Sequence, residues 1–141
     1  MPISRRSLAA LLPLLAPAQT KPAAPKPTMA SKTIVFEDLP VKQNGTNSSR
    51  AIMDVVNHEN FPFEMHYTEL GPGKAPHPPH QHPHEEIVIV REGVLDVTIN
   101  GKTTKAGPGS IVVAGSGDMH GWVNNTEGKT AYYVMAIGHK G

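Results

Sequence analysis

With 141 residues, 38% of them hydrophobic and 18% charged, the chain is sized and composed as one folded domain that buries its own core. The absence of cysteine excludes every thiolate metal site, and a formal charge of +1 gives no electrostatic basis for binding nucleic acid. Fourteen prolines and thirteen glycines, with no sustained helical spacing of apolar residues, indicate a turn-rich, all-β chain.

The N-terminus reads as a targeting segment. Ser4-Arg5-Arg6-Ser7-Leu8 is a paired-arginine start, Leu8 to Leu15 is apolar, and Ala16-Pro17-Ala18 offers a small-residue cleavage site. The apolar run is shorter than the roughly 20 residues that span a bilayer and is broken by Pro13. Residues 1–18 are therefore expected to be a cleavable signal of the bacterial twin-arginine type, sending the protein to the periplasm or outside the cell, with no membrane contact after cleavage. Losing Arg5 and Arg6 takes the formal charge from +1 to −1. Residues 19–32, with Pro22, Pro25 and Pro27 among Ala and Lys, are expected as an extended, mobile linker. The folded domain is expected over 33–141, starting near Thr33.

Short apolar or alternating runs then recur between turn residues: 34–36, 51–56, 63–70, 86–90, 94–100, 110–114, 121–124 and 131–137. Eight short strands at this spacing predict a sandwich or barrel. Asn100-Gly101 is a hairpin turn joining Val97-Thr98-Ile99 to Lys102-Thr103-Thr104, because both residues tolerate positive φ. The glycine clusters 71–73, 107–109 and 115–117 are tight-turn chemistry and match no phosphate-binding or dinucleotide pattern.

The chemistry gathers in His77-Pro78-Pro79-His80-Gln81-His82-Pro83-His84-Glu85-Glu86, which holds four of the eight histidines and two carboxylates. Imidazole and carboxylate suit one divalent transition metal, Mn, Fe, Zn, Ni or Cu. A solvated His/Pro tract that holds metal loosely is the alternative. In a strand, His80, His82 and Glu86 share one parity and can aim into a common interior. A closed site needs a further ligand, and His120, after a glycine turn and before Trp122, is the best placed of the others.

These residues resemble the two motifs of the cupin superfamily. His80-Gln81-His82, three residues, Glu86, six residues and Gly93 fit the first, with Gly73 as its leading glycine. Gly109, Gly117, His120 and Asn124 fit the second, in which Gly115 replaces a proline. Fifteen residues separate Gly93 from Gly109, as in compact single-domain bacterial cupins. The resemblance implies a double-stranded β-helix, or jelly-roll, barrel. It implies a three-histidine, one-glutamate metal site of His80, His82, Glu86 and His120, with Glu86 also a candidate base. His77 and His84 then fall either directly behind the ligands or at the rim, and Glu85 faces away.

By strand parity, Val88 and Val90 line the cavity with Glu86, while Ile87 and Ile89 form an outer apolar face that many cupins cover by homodimerisation. Phe63, Met65 and Tyr67 are expected in the core. His66, Val88, Trp122, Tyr133 and Met135 are candidate pocket residues. For function, the resemblance implies a metal-dependent enzyme acting on a small oxygen-bearing molecule, either a dioxygenase or an isomerase or lyase; a non-catalytic cupin that binds a small molecule, sugar or metal is the alternative.

Overall fold

The computed structural model describes residues 24–139, so the expected signal segment and the first part of the expected linker lie outside the described residues. Nine strands form: β1 (Lys42–Asn44), β2 (Asn47–Val56), β3 (Pro62–Leu70), β4 (Glu85–Glu92), β5 (Leu95–Ile99), β6 (Lys102–Ala106), β7 (Ile111–Ala114), β8 (His120–Val123) and β9 (Thr130–Ile137). They make a six-stranded sheet in the order β1-β2-β3-β9-β4-β7 and a three-stranded sheet in the order β6-β5-β8, with every pairing antiparallel. Non-sequential neighbours such as β3-β9-β4 are jelly-roll connectivity, and the two inner faces enclose one core. Leu70, Val88, Val90, Leu95, Val97, Trp122, Tyr132 and Val134 fill it. Val88 and Val90 lie inside as parity requires.

The hairpin at Asn100-Gly101 forms as expected. Asn100 has φ +46 and Gly101 φ +82, the pair of left-handed residues whose twist matches the flanking strands. Gly93 turns β4 into β5 at φ +72, and a Cβ there would meet Thr130 Oγ1 at 2.5 Å and the Lys129 carbonyl at 2.6 Å. The glycine at position 93 therefore has a steric cause.

Four expectations change. Ile34 to Phe36 is not a strand: Phe36 opens a 3-10 turn, Phe36–Asp38, that lies across the outer face of the large sheet. Its ring meets Tyr67 edge-on at 4.8 Å, and the Arg50 guanidinium donates to the Phe36 and Leu39 carbonyls at 3.3 and 2.6 Å. Lys42–Asn44, wholly polar and exposed, is a strand because Gly45, at φ +59, folds it back onto β2. The stripe Phe63, Met65 and Tyr67 faces outward, with Tyr67 beneath the Phe36 ring, and its neighbours Glu64, His66 and Thr68 face the interior. In the expected linker, residues 27–29 are extended but paired with the sheet: Val56 donates to the Pro27 carbonyl at 3.0 Å and Met29 to the Val56 carbonyl at 2.7 Å.

Candidate metal centre

The loop between β3 and β4 carries the first ligands, and backbone bonds tie it to β8. His80 and His120 exchange both backbone hydrogen bonds at 2.9 Å, and the Gly117 N–H donates to the His82 carbonyl at 2.8 Å. Residues forty positions apart in the chain are thus held side by side. The turn before His120 is itself pinned: Asn100 Nδ2 donates to Asp118 Oδ1 at 2.9 Å, and Asn100 Oδ1 accepts from the Met119 N–H at 3.0 Å. Asn124, fully buried, donates to the carbonyls of Leu70, Gly71 and Gly128 and so locks the end of β8 to the start of the histidine loop.

Four of the side chains expected to ligate meet. Ligating nitrogens of His80, His82 and His120 lie within 4.8 Å of one another. Glu86 Oε2 is 3.3 Å from His120 Nε2, and Glu86 Oε1 is 3.5 Å from His82 Nε2. The tautomers are set from outside. His82 Nδ1 donates to the His84 carbonyl at 2.9 Å and His120 Nδ1 to the Asp118 carbonyl at 2.8 Å, which leaves each Nε2 with a lone pair aimed inward. His82 Nε2, His120 Nε2 and Glu86 Oε2 are buried without any hydrogen-bond partner. Each such orphan costs about 1–3 kcal/mol, a cost that one cation shared among the three would relieve. The donor set, imidazoles and one carboxylate, fits a divalent transition metal.

Of the two positions expected for it, His84 takes the one beside the ligands and not the rim. Its ring stacks on His82 at 3.6 Å, its Nε2 is 3.7 Å from Glu86 Oε1, and with His82 and Glu86 it forms a second group able to hold an ion. Its other nitrogen lies 3.3 Å from His139 Nδ1. His77 packs at 4.0 Å from the His80 ring. Burial, reinforced by the neighbouring histidines, lowers the pKa of both His80 and His84 below the ordinary imidazole value and keeps them neutral, as ligands must be.

The pocket candidates divide by parity. His66, Val88 and Trp122 face the interior, with Trp122 stacked near the His120 ring at 6.0 Å. Tyr133 and Met135 do not: they pair with Tyr67 and Met65 on the outer face, and Tyr132, Val134 and Ala136 are the inward residues of β9. Because β9 is apolar at nearly every position, its alternation carries no signal for choosing the face. Glu64, whose Oε1 lies 2.8 Å from His66 Nδ1, was not singled out from the sequence; its parity with His66 was the available clue.

A family model described as Cupin domain matches residues 66–137, just over half of the chain. Among solved structures, KdgF from Halomonas sp. is similar at 18% identity and a TM-score of 0.68, over 79% of this chain and 96% of that one. The polyketide cyclase RemF from Streptomyces resistomycificus is similar at 21% identity and 0.62, over 78% and 81%. A sugar phosphate isomerase of the cupin superfamily from Silicibacter pomeroyi is similar at 19% identity and 0.61, over 75% of each chain. No curated protein matches.

Proposed function

The chain belongs to the cupin domain family, and on that premise we propose that it is a divalent-metal-dependent enzyme performing non-oxidative chemistry, isomerisation or elimination, on a small oxygen-bearing molecule. The observation that carries this reading is the convergence of unpartnered, buried His82 Nε2, His120 Nε2 and Glu86 Oε2 beside His80. Bound there, a divalent ion would act as a Lewis acid on a carbonyl or hydroxyl oxygen. Three neutral imidazoles and one carboxylate leave a loaded site with one net positive charge, which favours an anionic or enolisable ligand over a neutral apolar one. The apolar wall of Val88, Val90 and Val134 keeps bulk water from the inner side. The similar structures named as a cyclase and an isomerase support the non-oxidative choice over dioxygen chemistry.

Two further parts of the reading concern the protein's setting. The paired-arginine segment supports export to the periplasm. The outer face of β4 and β7, where Ile87 pairs with Val113 and Ile89 with Ile111, supports a homodimer.

Metal analysis of the purified protein tests the site. One equivalent of a divalent metal is expected, falling by at least tenfold in His82→Ala and in His120→Ala. Unchanged metal content in both variants overturns it. Turnover of keto-sugars without oxygen is the expected activity; consumption of oxygen with flavonols or β-diketones would replace the reaction class with a dioxygenase, and ligand binding without turnover would replace it with a binding protein.

A further inference from the structure

The register of the large sheet places a second set of polar groups opposite the metal centre. Inward-facing residues run across it in rows: Glu64, Ala136 and Glu86; then His66, Val134 and Val88; then Lys42, Ser49, Thr68 and Tyr132. Only the small Ala136 separates Glu64 from the metal-binding Glu86. Two strand spacings and one step of two residues put the Cα atoms of His66 and Glu86 about 12 Å apart, a gap that two inward side chains and one small molecule fill. Lys42, Ser49, Glu64, His66 and Thr68, with Pro76 of the histidine loop, line an open cleft of about 400 Å³.

Within this cleft His66 is held for proton transfer. Its Nδ1 lies 2.8 Å from Glu64 Oε1, both side chains being about three-quarters buried. The carboxylate accepts the Nδ1 proton, so Nε2 carries a lone pair and has no hydrogen-bond partner among the described residues. This is a base oriented by a second residue, the arrangement that fixes one tautomer in one direction. Ser49 and Thr68 add hydroxyls along the next row, and Lys42 stands at the mouth as the cleft's cation. One side of the cleft thus offers a positive charge and hydroxyl donors and the middle a base, and the sheet register sets Glu86 two strands beyond Glu64.

We propose that this cleft is the substrate subsite, that it takes a hydroxyl-bearing carboxylate, and that His66, oriented by Glu64, is the acid–base residue acting on it. The proposal rests on the metal-dependent, non-oxidative reading above. His66 Nε2 removes the proton from the carbon beside the substrate's carbonyl; the C–H bond breaks, its electron pair forms a carbon–carbon double bond, and the carbonyl pair moves to oxygen. The neighbouring hydroxyl then passes its proton to that oxygen and becomes the new carbonyl as the double-bond pair takes the proton from Nε2 onto the former carbonyl carbon, which completes an isomerisation with no oxidant or reductant consumed. Lys42 holds the carboxylate end.

The full-length protein loaded with zinc tests this, with D-gluconate as the probe and glycolate, which cannot reach Lys42 from the metal, as its short counterpart. Calorimetry should show gluconate binding at least tenfold more tightly than glycolate, and Lys42→Ala should abolish that preference with one zinc retained per chain. Nitrogen-15 spectra should show His66 as the Nδ1–H tautomer, its Nε2 signal moving on gluconate addition. With 5-ketogluconate in deuterium oxide, proton magnetic resonance should show exchange beside the carbonyl, slowed about a hundredfold in His66→Asn and less in Glu64→Gln. Failure of zinc to bind defeats the metal-dependent reading. Zinc bound with equal affinity for the two acids, or with a preference that survives Lys42→Ala, overturns the subsite alone; absent exchange, or exchange undiminished in His66→Asn, overturns the role of His66.

Discussion

At the scale of single residues, the motif positions serve two distinct purposes that spacing alone does not separate. His80, His82, Glu86 and His120 bring donor atoms to one point, whereas Gly93 and Asn124 make the backbone that carries them possible. Gly93→Ala adds a methyl 2.5–2.9 Å from three atoms at a φ of +72, so a loss of about 3 kcal/mol is expected in urea unfolding. Gly109→Ala, at φ +82 but with open space around it, should cost only about 1 kcal/mol. Protonation acts at this scale too. The folded pKa of His80 and of His84 is lowered from 6.5, so below that pH the unfolded chain binds more protons than the folded one. The metal-free protein should be fully stable above pH 6.5 and lose stability as the pH falls through the lowered values, measured as a falling melting temperature between pH 7 and 5.

At the scale of elements, most strands were legible because turn chemistry punctuates them. Asn100-Gly101 fixed its hairpin, and the alternation of β4 put Val88 and Val90 inside. Two elements were not legible, for physical reasons. β1 has no apolar residue and exists through backbone pairing alone, and β9 is apolar on both faces, so the positions of Tyr133 and Met135 could not be chosen. The outward aromatic stripe of β3 was misplaced because the sequence does not announce that the Phe36 turn would cover it. That cover is measurable at Tyr67, only 2% exposed. Burial, with the Glu69 carboxylate accepting from its hydroxyl, pushes the Tyr67 pKa up to about 12. Phe36→Ala should return it toward 10 in an ultraviolet titration and destabilise the fold by about 2 kcal/mol.

For the whole molecule, the four ligands were readable as a set only because two motifs matched jointly; across the barrel, His66 was readable as a pocket candidate but its partner Glu64 was not, since neither motif includes β3. His66 and Glu64 meet the site through sheet register, which joins β3 to β4 by way of β9, and no local pattern encodes that path. The opposite face raises a different question. Ile111 and Val113 are 65% and 61% exposed on β7, next to Ile89 and Ile87, an apolar strip on an edge strand. Sedimentation should show a dimer, and Val113→Glu should convert it to monomer without changing metal content; a monomeric wild type would refute the assembly.

The reciprocal backbone pair between His80 and His120 bears on how the protein would acquire an ion under the proposed function. Because main-chain bonds hold the two halves of the site together, the chain by itself builds the arrangement of donors. Capture then needs no refolding step, and the rate of loading should rise in proportion to free metal, with no ceiling set by chain rearrangement.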